Sequence, residues 1–595
     1  MHFRRPLIAM LAGIGLVFTG TLHAQKSPDP LAGLDTYIEN ELKLWYMPGM
    51  SLAVVKDGKI ILLKGYGKRN LEKNLPMTPD TVQPIASVTK NIAVASLATL
   101  VRDGKLSWDK PVREYLPDFR MHTDYATGTL TIRDMVTHRT GLPRHDYAWF
   151  RGPATREDLF KNLKHFELSA EPRARFQYNN LMYMTAGYTG GRIAGMSWEQ
   201  LTQKSLFDPL QMKTASFYVK DMLATPEVGV GYDFDDDYEP SPVVYSDAEN
   251  VGPAGSINAS ARDMANYLLM LTAKGKFNGK TILNEADIVE MTNPQMVLPD
   301  NRRFSELGPQ TYGMGFFLLS YRGERLVHHG GNLPGLNSLL SFMPQHNIGI
   351  YLAVNGSGSG MRDAITYAIY DRLLGLKPID WSTRLRDLRD KGRASRDAAK
   401  QKKLSPRKMG TKPAHDLASY AGTYDHPGYG KLTIDREGDA FRATYNGISS
   451  VLPHYHYEVF ATPDDPLNEL GNQKFTFETN LDGDVAGVNV LLEPSVKPIR
   501  FVKLADTRFK DPAFLKRFEG AYEVGANVAT VKVREDGALT MSVPGQVVRE
   551  LEGIAGNRFS VKGLNGFTIE FLEKGGVVSE AAFYQPNGNF FAKKR

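Results

Sequence analysis

The chain of 595 residues contains no cysteine. That excludes disulfides, thiolate metal sites, a cysteine nucleophile and lipid attachment through a cysteine. Long apolar runs are also scarce. Beyond the N-terminal residues none approaches the ~20 residues that span a bilayer, which excludes a polytopic membrane protein. With 42% hydrophobic and 23% charged residues, the composition is globular rather than disordered or collagen-like. The net charge of +6 is not spread evenly: residues 381–412 hold twelve Lys/Arg against three Asp, and Arg4 and Arg5 add two more at the start. The rest of the chain is net acidic. A nucleic-acid partner is therefore not expected, because such proteins carry positive charge across a folded face.

At ~150 residues per domain the length predicts about four domains. Residues 1–24 read as a signal peptide: Arg4 and Arg5, an apolar run over 7–17, and Thr21-Leu22-His23-Ala24 as the cleavage site. This predicts a periplasmic or secreted protein with no membrane span after cleavage. Met50-Ser51-Leu52-Ala53-Val54-Val55, then Lys56-Asp57-Gly58-Lys59, then Ile60-Ile61-Leu62-Leu63 predict a hairpin, since Asp-Gly between apolar runs favours the tight turn. Helical periodicity dominates 87–290, and strands return at 324–329, 336–342 and 348–354. The expected class is α+β: residues 25–378 form one antiparallel sheet, built from both ends, beside a helical subdomain. Residues 379–412 are expected to be a basic linker, a solvated helix followed by an extended stretch. Beyond it, Leu417-Ala418-Ser419-Tyr420-Ala421-Gly422-Thr423-Tyr424 recurs as Leu515-Lys516-Arg517-Phe518-Glu519-Gly520-Ala521-Tyr522. The repeat predicts two small all-β barrel domains, 413–507 and 508–595.

Ser87-Val88-Thr89-Lys90 is the central candidate for chemistry. A serine hydroxyl is a poor nucleophile until a base or cation assists it. Serine in the first turn of a helix with lysine at i+3 places both side chains on one face. S-x-x-K occurs twice more, at Ser107-Trp108-Asp109-Lys110 and Ser405-Pro406-Arg407-Lys408. Only Ser87 opens a long apolar helix, which would bury and desolvate the lysine. Tyr178-Asn179-Asn180 precedes a helical run over 181–193. A tyrosine whose pKa is lowered by neighbouring cations serves as base toward serine and acid toward a leaving group, and an Asn two residues on holds a substrate carbonyl. Ser256-Ile257-Asn258 competes with it but reads as the start of the helix over 261–271. His329-Gly330-Gly331 ends a strand, where glycines let backbone approach a ligand; an N–H from this strand and that of Ser87 would form an oxyanion hole. His138 reads as a loop anchor. His426, His454 and His456 lack the carboxylate–histidine cluster of a zinc site, and neither G-x-S-x-G nor a P-loop is present. No metal or organic cofactor is expected.

Together these residues resemble the serine β-lactamase-related family: class C β-lactamases, D-alanyl-D-alanine carboxypeptidases, D-aminopeptidases and esterases. The resemblance covers residues 30–378. It runs through Pro48-Gly49-Met50-Ser51, Pro84-Ile85-Ala86-Ser87-Val88-Thr89-Lys90, Thr137-His138-Arg139-Thr140-Gly141-Leu142-Pro143, Tyr178-Asn179-Asn180 and His329-Gly330-Gly331. It implies that Ser87 forms an acyl-enzyme, that Lys90 and Tyr178 share proton transfer, and that Asn180 orients the acyl-side amide. His329, Gly331 and Asn332 would border the substrate, with the N–H groups of Ser87 and Asn332 as the oxyanion hole. His329 and Gly330 stand where β-lactamases carry a lysine and a hydroxyl residue, which predicts a weaker hold on a penicillin carboxylate. The third motif is similar to D-aminopeptidase and esterase branches, and the tail to their lipocalin-like barrels. The implied function is an exported serine hydrolase of small, D-amino-acid-containing peptides, amides or esters, like a D-aminopeptidase or D-Ala carboxypeptidase, with peptidoglycan fragments among its expected partners. An esterase or weak β-lactamase is the alternative. A non-catalytic cell-wall-binding or interaction protein is the rival from another class; it would be marked by loss of Ser87, Lys90 or Tyr178, and all three are present.

Overall fold

Asp57 and Gly58 both take positive φ, 49° and 75°, the turn geometry whose twist matches two paired antiparallel strands. In the computed structural model, which describes residues 29–595 apart from 236, 246, 301, 359, 404–406, 466, 467, 526 and 565, this turn joins β1 (Gly49–Lys56) to β2 (Lys59–Asn70). Helix α1 (Leu34–Leu44) leads into the hairpin. Much further along the chain β3 (Phe317–Tyr321), β4 (Glu324–Leu333), β5 (Leu336–Met343) and β6 (Ile348–Val354) form a meander. β6 pairs antiparallel with β1, Met50 opposite Val354 and Lys56 opposite Ile348, so the two ends of this region build one sheet. Two-residue strands at its edges bring the sheet to nine.

Side chains alternate across β1. Ala53 and Val55 face the helical body, which includes α2 (Thr89–Arg102), α3 (Asn180–Ala194) and α4 (Ala261–Thr272). Met50, Leu52 and Val54 face α1, α5 (Gly360–Leu373) and the start of α6 (Trp381–Lys403). α2 is buried on every side from Thr89 to Leu100, and its polar Ser96 and Thr99 satisfy their hydroxyls on carbonyls one turn back.

The basic stretch differs from the expected linker at its start. Trp381 is fully buried and donates from Nε1 to the Tyr321 hydroxyl at 3.0 Å, while Arg384 pairs with Glu306 at 2.9 Å. Charge counting hides this, because one indole and Leu385 suffice to dock the first turns of an otherwise charged helix. Residues 1–24, read as a signal peptide, and Ser405 lie outside the described residues. Among the described residues no helix is long and apolar enough to cross a membrane.

The tail forms two β structures. In the first, nine strands run from Gly422–His426 to Ile499–Lys503 and almost close; the gap lies between Ile448–Leu452 and His454–His456, on either side of Pro453, which has no N–H to donate. In the second, eight strands close completely, with Tyr522 paired to Lys594. The repeat survives as matching contacts. Tyr424 donates to the Tyr420 carbonyl and Tyr522 to the Phe518 carbonyl, each at 2.7 Å. Lys503 and Lys594 lie 5.9 Å from the centres of those two tyrosine rings.

Candidate active site

Ser87 sits in a 3-10 turn, Ala86–Val88, that runs directly into α2. Ala86 is held at φ 49°, a left-handed conformation that costs an ordinary residue roughly 1 kcal/mol. The surroundings impose it: the Ile85 N–H donates to the Ile257 carbonyl at 2.8 Å, and the Ser338 hydroxyl to the Ile85 carbonyl at 2.7 Å. The strain presents the Ser87 hydroxyl to a cavity rather than to the helix interior.

Lys90, one turn on, is completely buried. Its Nζ lies 3.1 Å from Ser87 Oγ, 2.8 Å from Asn180 Oδ1 and 2.7 Å from the Ala254 carbonyl. Among the described residues no carboxylate bonds to it. Burial therefore holds its pKa well below the usual lysine range, Arg144 pushes the same way, and Asp146 opposes both. Tyr178 donates to Ser87 Oγ at 2.9 Å. Its phenol is pushed up by burial, which outweighs the hydrogen bond to Ser87 and the charge of Arg144. The expectation that cations lower this tyrosine is reversed, because desolvation is the larger effect.

Asn179, between the two, caps α3: its side chain accepts from the Met182 N–H at 2.8 Å and donates to the Leu142 carbonyl at 3.3 Å. This cap aims Tyr178 and Asn180 at the same point. Asn180 accepts from Lys90 and donates to Asp146 Oδ1 at 3.2 Å. His138 is more than a loop anchor. Its Nδ1 accepts from the Asn179 N–H at 3.0 Å and its ring lies 4.3 Å from that of Tyr178, so it supports the tyrosine directly.

His329 is 1% exposed. Its Nδ1 faces the Gly330 carbonyl at 2.8 Å, and a carbonyl only accepts, so Nδ1 carries the proton; Nε2 then accepts from the Tyr312 hydroxyl at 3.2 Å. Burial and nearby Lys90 hold the ring neutral. Both nitrogens are engaged inside the protein, so His329 offers substrate neither a charge nor a free nitrogen. The glycines beside it serve approach of another kind than that expected. A Cβ at Gly331 would lie 2.2 Å from the Ile85 carbonyl and 3.0 Å from Ala86 Cβ, so β4 runs against the serine turn itself. Asn332, exposed next to it, shares the cavity wall with Ser87.

The other S-x-x-K at Ser107 is exposed, and Lys110 pairs with Glu114 at 3.2 Å. Asn258 of the competing S-x-N donates to Ser216 and Tyr218, both at 3.3 Å. Sequence reasoning missed Arg144 and Asp146, which directly follow Thr137-His138-Arg139-Thr140-Gly141-Leu142-Pro143. Arg144 lies 5.2 Å from the Tyr178 ring centre and 2.5 Å from Asp146, and Asp146 accepts from Trp149 Nε1 at 2.9 Å.

A cavity of about 340 Å³ opens at Ser87, walled by Tyr147, Trp149, Phe150, Leu333 and, from the tail, Glu469. A second, of about 640 Å³, is lined by His329 and Arg362. Ser87, Tyr178, Arg144 and Asn332 border both. The first tail domain also grips the cavity wall. Tyr445 donates to the Tyr147 carbonyl at 2.8 Å, Asn446 to the same carbonyl at 2.9 Å, and the His145 N–H to Glu493 at 3.0 Å.

Residues 35–373 match the family model described as beta-lactamase. The chain belongs to the beta-lactamase family. It is a serine hydrolase of that family, with the beta-lactamase/transpeptidase-like fold. It is similar to "Unguisins hydrolase ungD'" of Aspergillus campestris (strain IBT 28561), 28% identical over 516 residues that cover 82% of this chain and 95% of that protein. It is also similar to "Protein flp" of Staphylococcus aureus (strain MW2), 26% identical over 54% of this chain and 62% of that protein. Among solved structures, the octameric penicillin-binding protein homologue from Pyrococcus abyssi shares the fold, with a TM-score of 0.54 at 22% identity over 80% of this chain and all of that one. In the tail, residues 406–503 match a domain of unknown function, DUF3471.

Proposed function

We propose that this family member is an exported hydrolase that cleaves small peptides, amides or esters, D-amino-acid-containing ones above all, through an acyl-enzyme on Ser87. One observation carries the reading: Ser87 Oγ lies between a buried amine that disfavours its charge and a phenol that keeps its proton. As a neutral amine, Lys90 gives its two N–H bonds to Asn180 and the Ala254 carbonyl and turns its lone pair to the serine. On attack the Ser87 proton passes to Lys90, and the new Ser87 O–C bond leaves an oxyanion facing the N–H groups of Ser87 and Asn332. Tyr178 then protonates the leaving group as its bond to carbon breaks. The Lys90 ammonium reprotonates the phenolate, and water reverses the sequence to free the acid.

The aromatic walls of the smaller cavity suit an apolar acyl-side group. Preference for D-residues rests on the resemblance of His329-Gly330-Gly331 to the D-aminopeptidase branch; a similar fungal protein is named a hydrolase of unguisins, which is compatible with hydrolytic chemistry at this site. Export rests on residues 1–24 and is read by fractionation. Fluorophosphonate should label Ser87, located by peptide mass, and a panel of D- and L-aminoacyl amides, p-nitrophenyl esters and nitrocefin should show the D-amides turned over fastest. An unlabelled Ser87, with turnover unchanged in Ser87→Ala, would instead favour a silent binding protein.

A further inference from the structure

Away from Ser87, α6 carries a pattern that its overall charge conceals. Arg386, Arg389, Arg393, Arg396, Lys400 and Lys403 follow one another at steps of three and four residues, positions that the helix keeps along one face. The row begins beside the end of α1. Arg389 lies 5.1 Å from the ring centre of Trp45 and 5.3 Å from that of Tyr238, and Arg393 lies 5.9 Å from the latter. Tyr238 stacks on Tyr46, with ring centres 4.4 Å apart and an interplanar angle of 11°. Both tyrosines hold left-handed backbone conformations, φ 59° for Tyr46 and 65° for Tyr238, which large side chains seldom adopt.

The two tyrosines and the first three arginines, with Lys43 and Leu44, line a cavity of about 590 Å³ that shares no residue with the two at Ser87. Its charges are unbalanced. Arg389 pairs with Asp390 at 2.8 Å, but among the described residues no carboxylate pairs with Lys43 or Arg386. Arg386 Nε is buried without an acceptor, and Nη2 donates to the Thr383 hydroxyl at 3.2 Å. The buried Glu41 of α1 is already engaged, by Trp45 Nε1 at 3.1 Å and by Ser382.

Guanidinium forks beside stacked aromatic rings suit a phosphate group. Two features favour phosphate held in a lipid surface over phosphate in solution. Leu44 and Tyr46 line the cavity yet are 45% and 52% exposed, an apolar and an amphipathic side chain of the kind that settles at the boundary between headgroups and acyl chains. The row of cationic positions also runs on from Arg393 to Lys403, about 15 Å of helix, more than one phosphate can use. We propose that this face of the protein binds the phosphate headgroups of an anionic lipid bilayer, holding the chain against a membrane without crossing it.

Co-sedimentation of the full chain with vesicles tests this. Phosphatidylcholine vesicles containing phosphatidylglycerol should bind it about a hundredfold more tightly than phosphatidylcholine alone in about 0.1 M salt, and the difference should collapse in about 1 M salt. Replacing Arg386→Gln, Arg389→Gln and Arg393→Gln together should remove that preference, roughly fivefold per charge. The variant keeps residues 1–24, so their apolar run cannot produce the difference. Tyr46→Asn, which tolerates the left-handed backbone, should weaken binding to the anionic vesicles about fivefold. Equal binding of the wild-type protein to both vesicles overturns the proposal without any variant, so misfolding of the triple variant does not shield it. A triple variant that melts normally and keeps the preference overturns it as well. If inorganic phosphate or a DNA duplex displaces the protein from the vesicles at equal phosphate concentration, and Tyr46→Asn binds like the wild type, the site takes any polyanion and the lipid assignment falls.

Discussion

The two tail domains arise from one repeat yet relate differently to the active site. Both place a tyrosine hydroxyl on the carbonyl four residues back and a lysine over its ring. The first shares one hydrophobic cluster with the hydrolase region and sends Glu469 to the cavity. The second keeps a core of its own and touches the first through the Arg558–Asp416 pair. The repeated strands therefore account for the β architecture alone. Contact with the site comes from what is not repeated: the Tyr445-Asn446 turn, Glu469 and Glu493. A copy of a fold carries its core with it, whereas an interface must be built residue by residue.

The contrast can be tested first at two lysines, Lys90 buried and Lys503 half-buried. Lys90→Met should lower kcat by about 10⁴-fold or more, as loss of one member of a nucleophilic unit does. Lys503→Met, in the first tail domain, removes a lysine whose pKa burial lowers to about 8, and should leave turnover unchanged in progress curves. If both variants are equally inactive, the tail takes part in the chemistry and the division drawn here is wrong.

Acid should separate the two tail domains next. His426 is lowered to about 4 by burial, and His145, which bonds the first tail domain, is lowered too. A base depressed in the folded state binds more protons when unfolded, so stability is full above the ordinary histidine pKa near 6.5 and falls as pH drops toward 4. The second domain has no histidine and should hold its melting temperature over that range. Activity should fall in the same direction as Lys90 takes up a proton, with no opposing alkaline limb from Tyr178 until well above pH 10, because its phenol is pushed up. A pH–rate profile of kcat/KM reads this limb.

Smaller effects sharpen the comparison. Tyr424→Phe and Tyr522→Phe each remove one buried hydrogen bond worth about 1 kcal/mol. In calorimetry the first should shift the transition shared with the hydrolase region and the second that of the closed barrel. Smallest is Glu469→Ala, which removes the pairing with Arg151 at 3.4 Å and should change KM two- to fivefold, the scale of an exposed ion pair. Glu570→Gln in the second barrel should leave KM where it is.

Local patterns were readable before any coordinates. Asp57-Gly58 specifies its turn because few residues adopt two successive positive φ values, whereas 50–55 is apolar on both faces and only the packing shows which side chains meet which layer. The i+3 spacing of Ser87 and Lys90 places them together, and an Asn before a helical run is a cap that carries Tyr178 and Asn180 with it. Arg144 and Asp146 escaped notice because a charged pair in a loop carries no periodicity. Trp381 escaped because its neighbours are charged.

What the sequence determined by itself was therefore short-range: turns, faces, caps and a repeated core, each set by backbone sterics and by the spacing of apolar residues. The tertiary structure alone decided how the groups titrate and which distant residues meet. Desolvation depends on everything packed around a group, and so Lys90 moves down while Tyr178 moves up against the pull of its neighbouring cation. No spacing in the chain indicates that Gly330 makes room for Arg362, or that Glu469 joins Ser87 in lining one cavity.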